Sequence, residues 1–258
     1  MHAPVKIIPS ELLLMAYRSG IFPMADSRDD EEIYWVEPRE RAVIPLGGLR
    51  CARSLAKAVR QDRFRVTCNA DFAGVVDACA APRPGHPESW ISDRIAASYR
   101  ALHLAGHAHS IECWDGERMV GGLYGVGFDH AFCGESMFSR ATDASKVALV
   151  WLVALLRHAG YTLLDCQFMT EHLASLGAVP VTREAYLAQL GAAVAAGPAP
   201  PLPEAYASLF GAAGSGVAVG DGVATGAGAG AAAPSVSSPA TGASSPGKLI
   251  LQSLTHTS

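Results

Sequence analysis

Residues 108–138, AHSIECWDGERMVGGLYGVGFDHAFCGESMF, decide the fold. Three runs within and around it, AHSIECWDG, RMVGGLYGVGF and HAFCGESMF, have strand composition and meet at Asp-Gly, Glu-Arg and Asp-His turns, which predicts antiparallel hairpins. Downstream, TDASKVALVWLVALLRHAG predicts a long helix starting at Thr142 or Asp143 and stopping at Gly160. YTLLDCQF follows as a buried strand, then two more helices, the second around TREAYLAQL. Upstream, FRVTCN reads as a strand, Asp71 to Ala80 as a helix, and a further helix ends near Gly106. Hairpins followed by a helix, a strand able to pair in parallel and another helix give an α+β chain with a mixed sheet.

Further out, SELLLMAYRSG predicts a short helix from Ser10 to Gly20, with strands at Tyr34–Val36 and Ala42–Ile44 behind it. RSLAKAVRQ places Arg53, Lys57 and Arg60 on one helix face and Leu55 and Val59 on the other. The expected organisation is a small N-terminal α/β domain over residues 1–64, carrying this basic helix, and a catalytic domain over 65–210. The run from Gly211 to Gly247 is Gly, Ala, Ser and Pro with almost no large apolar residue, so residues 211–258 are expected to form a disordered tail.

Half of the 258 residues are hydrophobic, enough for a sizeable core. A net charge of -4 and a pI near 6.1 speak against non-specific coating of nucleic acid. The charge is uneven, however: six of the twenty basic residues lie between Arg50 and Arg65. Six cysteines without a Cys-x-x-Cys pair suit reduced thiols, and His107 with His109 lacks a spaced third ligand, so no metal is expected. Glu11 and Arg18 interrupt the only early apolar stretch, and Val147–Leu156 is too short to cross a bilayer, so a cytoplasmic protein without membrane contact is expected.

Glu135 follows a glycine among apolar residues and precedes the long helix, while Asp165 sits inside the strand after it. If the two strands are neighbours, Glu135, Asp165 and Gln167 converge near the helix N-terminus. Asp165 and Gln167, two apart on a strand, would share a face. An isolated acid of this kind is usually satisfied by local backbone donors. Two acids between long apolar stretches point to a site.

YRSGIFPM, YWVEPRERAVIPL, WISDRIAASYRALHLAGHAHSIECW, VGGLYGVGFDHAFCGESMFSRATDASK and DCQFMTEHLASLGA closely resemble the leucyl/phenylalanyl-tRNA–protein transferase family, in matching order over about residues 9–195. The resemblance implies a GNAT-like C-terminal domain and transfer of Leu or Phe, and also Met, from aminoacyl-tRNA to the N-terminal Arg or Lys of proteins, creating a degradation signal. It implies a monomer that needs no cofactor, because the ester is already activated. It assigns proton removal from the acceptor amine to Asp165 and Gln167, with Glu135 orienting Gln167. A neutral amide is a poor base, so Gln167 is read as orienting the amine while Asp165 and Glu135 supply negative potential.

The same resemblance puts Trp90, Tyr17 and Met24 around the terminal adenosine of the tRNA, a flat ring being a stacking platform for a base. Met24 stands where better-known members carry tryptophan. The aminoacyl side chain would enter a pocket lined by Leu123, Phe132, Leu149, Leu152 and Leu156, with Leu152 and Leu156 replacing bulkier aromatics. Arg53, Lys57 and Arg60 align with phosphate-contacting positions. The competing reading, a CoA-dependent N-acyltransferase, needs a glycine-rich turn for the pyrophosphate, and SRATDASK has no glycine. A non-catalytic tRNA-binding module would leave the acids buried without use.

Overall fold

The computed structural model describes residues 6–82, 88–210 and 244–255. Its elements in chain order are α1 (Ser10–Arg18), β1 (Phe22–Met24), β2 (Tyr34–Val36), β3 (Glu40–Val43), α2 (Arg53–Arg60), β4 (Arg65–Cys68), α3 (Phe72–Ala80) and α4 (Asp93–Leu104). There follow β5 (Ala108–Asp115), β6 (Arg118–Phe128), β7 (Ala131–Ser139), α5 (Ala144–His158), β8 (Leu163–Asp165), α6 (Glu171–Ser175), β9 (Val179–Thr182), α7 (Arg183–Ala195), α8 (Leu202–Phe210) and α9 (Pro246–Thr255).

β1 and β2 form a two-stranded antiparallel ribbon, and the other seven strands form one sheet in the order β4-β5-β6-β7-β8-β3-β9. The three strands read from residues 108–138 are its centre. β7 and β8 pair in parallel, Cys133 opposite Asp165, while the other pairs of the sheet are antiparallel. A parallel pair needs a crossover, and α5 supplies it. α5 is apolar on every side because it is buried on every side, from Val147 to Leu156. It lies close on the sheet at Gly121, where a Cβ would come within 2.5 Å of the Ala144 Cβ.

Two apolar layers flank the sheet. One joins α5 to α2, α8 and α9, and the other holds residues of α1, α3, α4 and α7.

Three expectations are corrected. β3, expected in a small N-terminal domain ending at 64, lies inside the large sheet between β8 and β9, and α2 packs on α5. The strand expected over YTLLDCQF keeps only Leu163–Asp165, and Gln167 adopts a left-handed backbone with φ 61°. Finally, the tail is not disordered throughout: α9 docks on α2 and α5 with Ile250 fully buried. Residues 211–243 lie outside the described residues.

α9 is held at both ends. Asp62 accepts from the Gly247 amide at 2.7 Å, and Arg157 donates to the Leu254 carbonyl at 2.7 Å.

Candidate active site

β8 stops at Asp165 while β7 runs on to Ser139, so beyond the Cys133–Asp165 pair the sheet loses a neighbour along one edge of β7. A cavity of about 670 Å³ opens there. Gly134 to Ser139 of β7 line it, as do Leu123 and Tyr124 of β6, Leu149 and Leu152 of α5, and Leu164, Cys166, Gln167 and Phe168. Trp90, Ser145, Thr170, His172 and Leu173 complete the walls.

Glu135 enters this cavity because of a bulge. Tyr124 pairs with Ser136 and Gly125 with Gly134, which leaves Glu135 without a partner on β6. An unpaired residue of this kind re-aims its side chain relative to the regular pleat. Gly125 makes the bulge possible: a Cβ there would lie 2.3 Å from the Cys133 carbonyl oxygen.

The Glu135 carboxyl is buried and accepts hydrogen bonds from Tyr17 at 2.7 Å and Tyr99 at 2.8 Å, one on each oxygen. Tyr17 and Tyr99 are themselves 2.5 Å apart at their hydroxyls. Burial pushes the Glu135 carboxyl up to about 7, against the hydrogen bonds from Tyr17 and Tyr99 and the nearby Gln167 amide, all of which favour its charged form.

Asp165 is placed differently from Glu135. Its carboxylate is paired with Arg41 through both oxygens, Arg41 Nε at 3.2 Å from one and Arg41 Nη2 on the other. Tyr186 adds a hydrogen bond of 3.0 Å, and the backbone N–H of Gln167 adds one of 2.8 Å. Burial works against the Arg41 charge, but Asp165 outweighs it and raises its pKa. The guanidinium lies over the rings of Phe22, at 4.8 Å, and Tyr186, at 4.4 Å.

Asp165 is thus absent from the cavity wall, and Arg41 cancels the negative potential expected from it. The Asp165 carboxylate accepts the backbone N–H of Gln167, whose own φ is left-handed. The Gln167 side chain then faces Glu135, although its Nε2 makes no hydrogen bond of ordinary geometry.

The other expected residues divide. Trp90, Leu123, Leu149 and Leu152 line the cavity. Phe132 and Leu156 are buried core behind it and do not. Tyr17 offers no open ring face, being 1% exposed, and its hydroxyl serves Glu135. Met24 packs against the same apolar layer as Trp90 but does not line the cavity. Arg53, Lys57 and Arg60 are exposed on α2, whose Leu55, Ala58 and Val59 are buried beneath them. His109 is buried, with Nδ1 at 3.0 Å from the Asn69 amide.

Sequence reasoning missed Arg41, Tyr99, Tyr124 and the loop residues Phe168, Thr170 and His172. The loop follows directly on Gln167, which was its one available signal.

Two family models match the chain: the leucyl/phenylalanyl-tRNA protein transferase N-terminal domain over residues 8–39, and leucyl/phenylalanyl-tRNA protein transferase over residues 43–191. The leucyl/phenylalanyl-tRNA–protein transferase of Novosphingobium aromaticivorans is 60% identical over 97% of this chain and 97% of its own. The proteins of the same name from Zymomonas mobilis and Rhizorhabdus wittichii are each 56% identical, over 73% and 74% of this chain and 70% and 77% of theirs. Among solved structures, L-PGS from Bacillus licheniformis aligns at a TM-score of 0.34 and 13% identity, over 64% of this chain and 55% of that one, too distant to inform the chemistry. On the first two comparisons, the chain belongs to the leucyl/phenylalanyl-tRNA–protein transferase family.

Proposed function

We propose that the protein moves Leu or Phe, and with lower demand on pocket shape Met, from aminoacyl-tRNA to the N-terminal Arg or Lys of proteins in the cytoplasm. The observation that carries this reading is the cavity whose apolar walls, Leu123, Leu149 and Leu152, end at Glu135 and Gln167. An apolar side chain fits the walls, and the polar end is where an ester and an amine would meet.

The acceptor loses one ammonium proton, its nitrogen attacks the ester carbonyl carbon, and a C–N bond forms as the bond to the ribose oxygen breaks. A second proton leaves the nitrogen and one is taken up by the ribose oxygen. Free α-amines have a pKa near about 7.7–8.0, so the first loss needs little help. Positioning is the main demand. We assign Glu135 to the cationic acceptor, Gln167 to orienting the amine, and Asp165 to holding Gln167. Trp90 is read as the platform for the terminal adenosine, and Arg53, Lys57 and Arg60 as phosphate contacts. The parallel β7–β8 pair in an otherwise antiparallel sheet, splayed at the cavity, supports a GNAT-like reading of the sheet.

The test is incubation of the purified protein with Phe-tRNA and peptides beginning with Arg, Lys or Ala. Transfer to the Arg and Lys peptides without nucleotide or metal is expected. Equal transfer to the Ala peptide would remove the acceptor role of Glu135, and transfer from acetyl-CoA instead would overturn the reading.

A further inference from the structure

Four buried side-chain polar atoms among the described residues have no hydrogen-bond partner, and two of the four, the Tyr124 hydroxyl and Gln167 Nε2, belong to residues of the same cavity. Buried polar atoms in folded proteins are nearly always paired, so two orphans at one cavity imply a ligand that pairs them. Tyr124 sits on β6 opposite Ser136, one residue beyond the Glu135 bulge. Its ring is fully buried, edge-on to Tyr99 at 5.4 Å and to Phe72 at 5.8 Å, so the hydroxyl has little freedom to seek another partner.

Glu135 is near enough to raise the Tyr124 pKa, after burial itself. Each Glu135 oxygen already accepts from Tyr17 or Tyr99, and the Tyr124 hydroxyl does not bond to either. Gln167 Nε2 carries two N–H groups, so whatever one gives to Glu135, the other is free. The cavity therefore holds two preset donors, and the reaction proposed above brings in one acceptor that gains charge, the ester carbonyl oxygen.

We propose that the Tyr124 hydroxyl and the Gln167 side-chain amide together form the donor pair that receives the carbonyl oxygen of the aminoacyl ester as it becomes tetrahedral. The oxygen takes on negative charge while the C–N bond forms and gives it up as the bond to the ribose oxygen breaks. The donors lend hydrogen bonds and transfer no proton. Donors fixed in advance stabilise such an oxyanion without reorganising. This makes Tyr124 a catalytic residue and extends Gln167 beyond the amine. The inference deepens the transferase reading and rests on it.

The experiment is Tyr124→Phe, which removes one oxygen and keeps the ring. Single-turnover transfer from Phe-tRNA to an Arg-peptide is expected to fall on the order of a hundredfold, with the KM values for tRNA and peptide unchanged. The melting temperature is expected to hold or rise, because the lost hydroxyl was unpaired. A loss confined to the peptide KM would assign Tyr124 to the amine and overturn the proposal, as would full activity.

A second arm needs no turnover. A tetrahedral phosphonate analogue of 3′-phenylalanyl adenosine is titrated by calorimetry beside its planar amide analogue. Tyr124→Phe should weaken the phosphonate by at least about tenfold and the planar amide hardly at all. Equal effects on both would overturn the donor role while leaving the transferase reading intact. Failure of the wild-type protein to bind either analogue would overturn both.

Discussion

Arg41 and Asp165 form an ion pair that solvent does not reach, the two side chains being 1% and 0% exposed. It joins β3 to the end of β8, and through Gly20 and Phe22 it also touches the N-terminal ribbon. Breaking one half of such a pair strands the other charge and costs about 3–5 kcal/mol, while removing both charges is often close to neutral. Arg41→Gln and Asp165→Asn are each expected to lower the melting temperature sharply and reduce transfer. The double variant should recover much of both. A double variant that melts normally yet stays as inactive as Asp165→Asn would give Asp165 a direct part in the chemistry.

Glu135 should leave a signature in stability against pH. Its folded pKa of about 7 lies above the ordinary value of 4.5, so between those values the folded state binds more protons than the unfolded one. Its contribution is complete below the ordinary value and is lost as pH rises through about 7. Glu135→Gln is expected to flatten the fall in stability across that window, read by urea unfolding at several pH values. An identical pH slope in both proteins would mean that Glu135 is not held high.

Gln167 separates backbone cost from side-chain use. At φ 61° an L-residue is strained and glycine is not. Gln167→Gly should stay within about 1 kcal/mol of wild-type stability and still lose on the order of a hundredfold in single-turnover transfer. Near-normal transfer would discard the roles given to its amide.

The docked tail gives a prediction that composition alone would have reversed. Ile250→Asp puts a charge where the native side chain is fully buried against α2 and α5, so the melting temperature should drop and truncation after residue 243 should do the same. Because α9 braces the helix bearing Arg53, Lys57 and Arg60, tRNA affinity is expected to fall, measured by filter binding. Unchanged melting for both variants would detach α9 from the fold.

What the sequence made legible was whatever repeats locally. The hairpins over 108–138 and the apolar length of α5 follow from composition and turn residues, and the adjacency of β7 and β8 follows from the helix between them. Arg41 left no signal, because in EPRERAV it looks like one more charge in a surface loop, and only the pairing of β3 with β8 and β9 buries it. β9 was missed for a related reason: it is short, contains Pro180 and faces solvent. The Tyr17 hydroxyl bond to Glu135 left no mark in the sequence, because an aromatic ring reads alike whether it meets a base or a carboxyl.

Gly247 sits so close to the Val59 carbonyl that a Cβ there would lie 1.8 Å from it. The seat of α9 on α2 and α5 is synthesised well before α9 itself. Until α9 has been made and docks, Leu55 and Val59 on the nascent chain are without this cover, an apolar surface open to chaperones or to another copy. A premature stop anywhere in residues 211–243 would yield a chain bearing the whole sheet and cavity but an unsealed flank.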